Sequence, residues 1–199
     1  MLAILAACGD SGPTAAEKAK AAAEHRRAVE HREALVRLAD AKGTAKEALA
    51  NADGCEDDAG KLVDALSELN SRLNIGLSYD EYGDKVADVR VAYDDVGFSD
   101  ADPEDLDCIS EVGIPAEKAL NTYASAYRTW NKCFESFSCD NDDITPVLQR
   151  RWSRATIQVD QAKSGMALLK RRATNAANKV QRITEIVRRT APPTSDKST

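Results

Sequence analysis

The residues of this 199-residue chain best suited to chemistry are its five cysteines, Cys8, Cys55, Cys108, Cys133 and Cys139. A thiolate can ligate a metal, attack a carbonyl or pair with a second thiol, and spacing helps to separate these uses. Cys133 and Cys139, with five residues between them, do not have zinc-like spacing, and only two histidines could complete a site, so neither metal nor cofactor is expected. His25 and His31 lie six apart, off the i, i+4 face that a shared metal needs, and read as solvated. An acidic run offers a calcium reading, with Asp100, Asp102 and Glu104 at positions 1, 3 and 5 of an EF-hand-like loop and Glu111 at position 12. Asp105 stands where the sharp turn needs glycine and Pro103 stiffens the segment, so the simpler expectation is that Asp102 caps a short helix with Pro103 in its first turn. Asp140, Asp142 and Asp143 read as a loop leading into a helix. No Gly-x-Ser-x-Gly elbow and no phosphate-cradling glycine loop is present, which argues against an enzyme.

The segment Leu5-Ala6-Ala7-Cys8, followed by Gly-Asp-Ser-Gly-Pro, resembles the lipobox of bacterial lipoproteins. That resemblance covers the N-terminal edge alone. It implies that Cys8 carries a diacylglycerol, that the residues before it are the remnant of a leader, and that the rest is an extracytoplasmic domain anchored to the membrane of a bacterial cell envelope. Elsewhere no apolar run approaches the roughly 18 residues that a membrane span needs. In an oxidising compartment the other four cysteines read as two disulfides, for which three connectivities exist.

The elements that would hold these residues are helices. Aromatics make up only 5% of the chain and Ala, Glu, Lys and Arg are abundant, a composition that favours helix. Apolar residues recur at alternating spacings of three and four. Thr14-x-x-Glu17 is a capping box opening a first helix to about Asn51, with Ala28, Leu35, Leu38, Ala45 and Leu49 as its seam and Gly54 as its stop. Ala59, Leu62, Leu66, Leu69 and Leu73 mark a second helix ending near Gly76. Ser78-x-x-Glu81 caps a third, with Tyr79, Tyr82, Val86, Val89, Tyr93 and Val96 in line. A loop is expected over 97–113, then a fourth helix with Pro115 in its first turn and Leu120, Tyr123, Tyr127, Trp130, Phe134 and Phe137 as its seam. Thr145-Pro146 opens a fifth, whose heptad runs through Leu148, Trp152, Ala155, Val159, Ala162, Met166, Leu169, Ala173, Ala176, Val180, Ile183 and Val187. At 1.5 Å per residue this last helix is roughly 67 Å long.

The expected fold is therefore all-α: an elongated antiparallel bundle of about five helices with two long terminal helices, stapled by disulfides. Residues 1–13 are read as leader remnant, lipobox and tether, 14–189 as a single domain, and 190–199 as a loose tail. A turn near Gly54 and the 97–113 loop would fall at the same end of an antiparallel bundle, which favours Cys55–Cys108 and leaves Cys133–Cys139 as a local ring.

The net charge of −6 hides a division. Between Arg150 and Arg189 eleven bases stand against Asp160 and Glu185, whereas between Asp53 and Glu117 nineteen acids stand against Lys61, Arg72, Lys85 and Arg90. One reading is simple pairing of a basic helix with an acidic neighbour, at little energy per exposed pair. The other is an anionic-surface site on Lys170, Arg171, Arg172, Lys179, Arg182, Arg188 and Arg189, facing lipid headgroups or an acidic envelope polymer. Nucleic acid is not expected, because stacking aromatics do not interleave with these charges. The function expected is a non-enzymatic envelope scaffold or interaction module that contacts such a polymer or a partner protein. The alternative is a ligand-sensing bundle with a pocket lined by Tyr79, Tyr82, Tyr93, Tyr123, Tyr127, Trp130 and Trp152, although aromatics on heptad positions are more often plain core.

Overall fold

A heptad of small and medium side chains runs without a slip through His31, Ala34, Leu38, Ala41, Ala45, Ala48, Ala52, Cys55, Ala59, Leu62, Leu66, Leu69 and Leu73, and every one of these is buried or half-buried. The computed structural model accordingly forms one helix, α1, over Ala15–Ile75. It describes residues 12, 14–97, 106–136 and 139–192. Cys8 and the lipobox-like segment before it, Asp100, Asp102, Pro103, Glu104, Asp105, Phe137 and residues 193–199 lie outside them.

The rest of the described chain is helical as well: α2 over Tyr79–Val96, α3 over Leu106–Cys108, a π-helical turn over Ile109–Gly113, α4 over Ile114–Glu135 and α5 over Asn141–Thr190. Because α3, the π turn and α4 follow one another without a break, the described residues make four helical runs. Two expectations are corrected. Gly54 ends nothing: it lies inside α1, so the first two expected helices are one. Residues 106–113, expected in a loop, are helical, and the Ile114 N–H donates to the Ile109 carbonyl in the i→i+5 bond that defines a π turn.

The ends of these elements follow local chemistry. Thr14 N donates to Glu17 Oε2 at 2.6 Å while Glu17 N donates to Thr14 Oγ1 at 3.3 Å, the reciprocal capping box. Ser78 and Glu81 repeat it at the start of α2, at 2.8 and 3.3 Å. Gly76 and Gly97 hold positive φ of 112° and 63°, which an L side chain rarely adopts, and they close α1 and α2. Asp140 leads α5, its carboxylate accepting from Asp142 N at 3.2 Å. Pro146 does not open that helix; it lies inside it, five residues past Asn141, where its missing N–H takes one bond out of the helical ladder.

The chain divides into two compact units, one of residues 1–43 with 178–199, the other of residues 44–177. In the first, Ala34 and Ala41 are buried and His31 Nδ1 lies 3.1 Å from Thr190 Oγ1. His31 is thus half-buried on the seam rather than solvated, whereas His25 is exposed. Leu35 and Leu49, expected on the seam, are 45% and 53% exposed, and alanines take their place.

The second unit holds the main core. Leu62, Leu66 and Leu69 from α1 meet Tyr82 and Val89 from α2, Val112 from the π turn, Leu120 and Tyr123 from α4, and Leu148, Val159 and Leu169 from α5. Full burial of each such side chain is worth about 1.5–3 kcal/mol, so this layer dominates the stability of the unit. Thr156 Oγ1 donates to Asn70 Oδ1 at 2.6 Å, and Lys170 Nζ reaches Glu56 Oε1 at 2.6 Å, joining α5 to α1 at two levels. Cys55 pairs with Cys108, at a Cα–Cα distance of 5.4 Å, and Cys133 with Cys139, at 5.1 Å. The first joins the middle of α1 to α3, not a turn to a loop.

Candidate anion-binding surface

The basic residues of α5 fall into groups that the structure treats differently. Lys170 meets Glu56, and Arg172 splits its guanidinium between Asp107 at 3.2 Å and Glu111 at 3.3 Å. Arg188 and Arg189 both reach Glu185, at 2.7 and 2.8 Å, and these cations hold the Glu185 carboxyl below the usual carboxylate range. Arg171, Lys179 and Arg182 are exposed and make no ion pair with another described residue. Of the seven cations that the sequence nominates, four are therefore engaged by carboxylates of the chain itself. Every partner in these pairs is about a third exposed or more, and such pairs typically contribute about 0–1 kcal/mol.

The first turns of α5 are different. Arg150, Arg151 and Arg154 line a groove of about 660 Å³ whose far wall is the polar face of α4, Lys118, Asn121, Thr122 and Ser125. Spacings of three and four along α4 put those four residues on one helical face. Gln158 and Val147 complete the lining, which among the described residues contains no carboxylate. Arg151 Nη1 donates to Ser125 Oγ, and Thr122 Oγ1 donates to Gln158 Oε1 at 2.9 Å, so both walls are tied to each other. Among the described residues Lys118, Arg150 and Arg154 make no ion pair. In the sequence these arginines belong to the basic run between Arg150 and Arg189, where nothing sets them apart. The sequence feature that goes with them is the stripe Lys118, Asn121, Thr122, Ser125, a polar face of α4 that does not differ in type from an ordinary solvated one.

A second hollow, of about 590 Å³, lies beside the π turn and is lined by Ser110, Glu111, Asp160, Gln161, Gly165 and Arg171 among others. Its charges are of both signs.

The aromatic residues fill their own space. Tyr79 stacks on Tyr127 at 5.0 Å, Tyr82 meets Trp152 edge-on at 5.7 Å, and Trp130 meets Trp152 edge-on at 5.9 Å. The Tyr79 hydroxyl donates to Asn131 Oδ1 at 2.5 Å, and hydrogen bonding with Tyr127 together with burial pushes its phenol up to about 12. Neither of the two hollows is lined by these rings. Trp152 Nε1 is buried and has no hydrogen-bond partner among the described residues.

Among the described residues no group of three or more His, Cys, Asp or Glu could hold a metal ion, and no helix is long and apolar enough to cross a membrane. The class that the fold defines is an all-helical, disulfide-containing protein. Neither a family model, a curated protein nor a solved structure matches the chain.

Proposed function

We propose that this chain is a lipid-anchored extracytoplasmic protein, an antiparallel helical bundle that acts by contact as a non-enzymatic envelope scaffold or interaction module. The observation that carries this reading is that all four cysteines beyond Cys8 are used in two disulfides, Cys55–Cys108 and Cys133–Cys139. Such bonds persist in oxidising compartments and are rare in a reducing cytosol. The lipobox-like Leu5-Ala6-Ala7-Cys8 supplies the route to that compartment and the anchor.

The antiparallel arrangement is supported by the order of contacts within the larger unit. Tyr79 at the start of α2 touches Trp130 and Phe134 late in α4, and Asn70 and Glu56 of α1 meet Thr156 and Lys170 of α5 in reverse order. The contact function rests on the exposed cations of α5 that make no ion pair with another described residue, Arg171, Lys179 and Arg182 among them.

The test is membrane fractionation with mass spectrometry of the N-terminal peptide, comparing wild type with Cys8→Ser. A mature chain beginning at acylated Cys8, released to the soluble fraction by the substitution, supports the anchor. An unmodified chain recovered from the cytosol with free thiols overturns it.

A further inference from the structure

We propose that the groove between α4 and α5 is a binding site for clustered phosphate groups, with Arg150, Arg151 and Arg154 on one wall and Lys118 on the other. The site is independent of lipid anchoring and of the α5 cations beyond Lys170.

Three features of the groove carry the assignment. First, four cations converge on one open volume of about 660 Å³ and no carboxylate among the described residues lines it. Like charges held together in a folded protein repel, so an arrangement of this kind is stabilised by an anion from outside. Second, the chain has acids to spare and uses them elsewhere on the same helix: Glu56 on Lys170, Asp107 and Glu111 on Arg172, and Glu185 on Arg188 and Arg189. The absence of carboxylates from the groove is thus a local property in a chain with net charge −6. Asp160 lies six residues beyond Arg154 and lines the other hollow instead.

Third, the donors suit phosphate. Guanidinium groups present paired N–H donors that match two oxygens of one phosphate. Arg151 is held by Ser125, which fixes one guanidinium at the wall, while Arg150 and Arg154 stand one helical turn apart on the exposed side. Thr122, Ser125 and Asn121 add neutral hydrogen-bonding groups between the charges. Three arginines spread along one turn, facing a lysine across the groove, match a ligand with two or three linked phosphates better than a single ion.

The probe is inorganic tripolyphosphate, titrated by calorimetry into the full chain, with citrate as a carboxylate polyanion for comparison. Vesicles of phosphatidylglycerol, against phosphatidylcholine, serve as a second arm that presents phosphate as a lipid headgroup. The variants are Arg150→Gln/Arg154→Gln, Lys118→Gln on the opposite wall, and Arg188→Gln/Arg189→Gln as a charge-matched control. All of these side chains are exposed, and circular dichroism checks that each variant folds.

Loss of the two guanidiniums should weaken tripolyphosphate binding by about tenfold or more, as removal of a charge-assisted hydrogen bond predicts. Lys118→Gln should weaken it in the same direction and the control by less than about twofold. The same pattern on phosphatidylglycerol vesicles, with no binding of free tripolyphosphate, supports the site and assigns its phosphate to a lipid headgroup. Equal weakening by the groove pair and the control pair, equal affinity for citrate, or no binding in either arm overturns the proposal.

Discussion

Gly165, in the middle of α5, lies directly against the backbone carbonyl of Glu111 in the π turn, so closely that a β-carbon there would collide with it. The widened turn and the missing side chain therefore meet backbone to backbone. Alanine in a helix interior is favoured over glycine by about 1 kcal/mol, and that gain competes here with a steric cost of about 1–3 kcal/mol or more, because the obstacle is main chain and not the end of a flexible side chain. Gly165→Ala is expected to lower the urea midpoint. A variant as stable as wild type would show that α5 does not approach the π turn this closely.

Gly54 makes the opposite case. It lies inside α1 and a β-carbon added to it meets nothing within 4 Å. With no steric cost, helix propensity decides the outcome, and Gly54→Ala should stabilise the protein by about 0.5–1 kcal/mol. A turn at this position would reverse the sign. The same urea titration therefore measures whether α1 is continuous, since destabilisation by alanine would mean two helices in place of one.

How much of this was legible in the sequence depends on residue size. The α5 seam from Leu148 to Val187 reads directly, because Trp152, Val159, Met166 and Leu169 are large and recur at heptad spacing, and all its members are buried or half-buried. The part of α1 before Cys55 misleads for the complementary reason. Its buried face is built from Ala34, Ala41 and Ala52, which carry little periodic contrast in an alanine-rich stretch, whereas the conspicuous Leu35 and Leu49 face outward. Side-chain type carries no mark of an i→i+5 bond, so the π turn at Ile109–Gly113 reads as loop. The pairing of Cys55 with Cys108 was nameable, but from a bundle end that does not exist, since Cys55 lies within α1. The arginines of the groove were visible as charge. Their lack of carboxylate partners among the described residues is a tertiary fact, set by where Glu56, Asp107 and Glu111 stand.

The two disulfides should differ in worth. Cys55–Cys108 spans 53 residues and Cys133–Cys139 spans 6. Loop-closure entropy then assigns about 4 kcal/mol to the first and about 2 kcal/mol to the second. Paired serine substitutions at 55 and 108 should lower unfolding free energy roughly twice as much as those at 133 and 139. Cys55 and Cys108 are also 3% and 5% exposed, so the longer bridge should resist reductant in the folded state while the half-buried Cys133–Cys139 reacts first. Peptide mapping after brief reduction and alkylation checks the order. Label appearing first at Cys55 and Cys108 would contradict their burial.

Alkaline pH should unfold the larger unit through two phenols. The Tyr82 hydroxyl donates to the Tyr123 carbonyl at 2.9 Å, and the Tyr123 hydroxyl donates to Asn70 Oδ1 at 3.3 Å, both deep in the core. Burial disfavours the phenolate, raising Tyr82 far above its ordinary value and Tyr123 up to about 12, against about 10 in an unfolded chain. The folded state thus holds these protons more tightly than the unfolded state does. Their contribution to stability is fully present below about pH 10 and is lost as pH rises through about 12. Ultraviolet phenolate absorbance and helical circular dichroism, followed together, should show the signal of these two tyrosines arriving with the loss of helix and not before it. Ionisation of all five tyrosines near pH 10 with the helices intact would show that Tyr82 and Tyr123 are open to solvent, and the core drawn around them would be wrong.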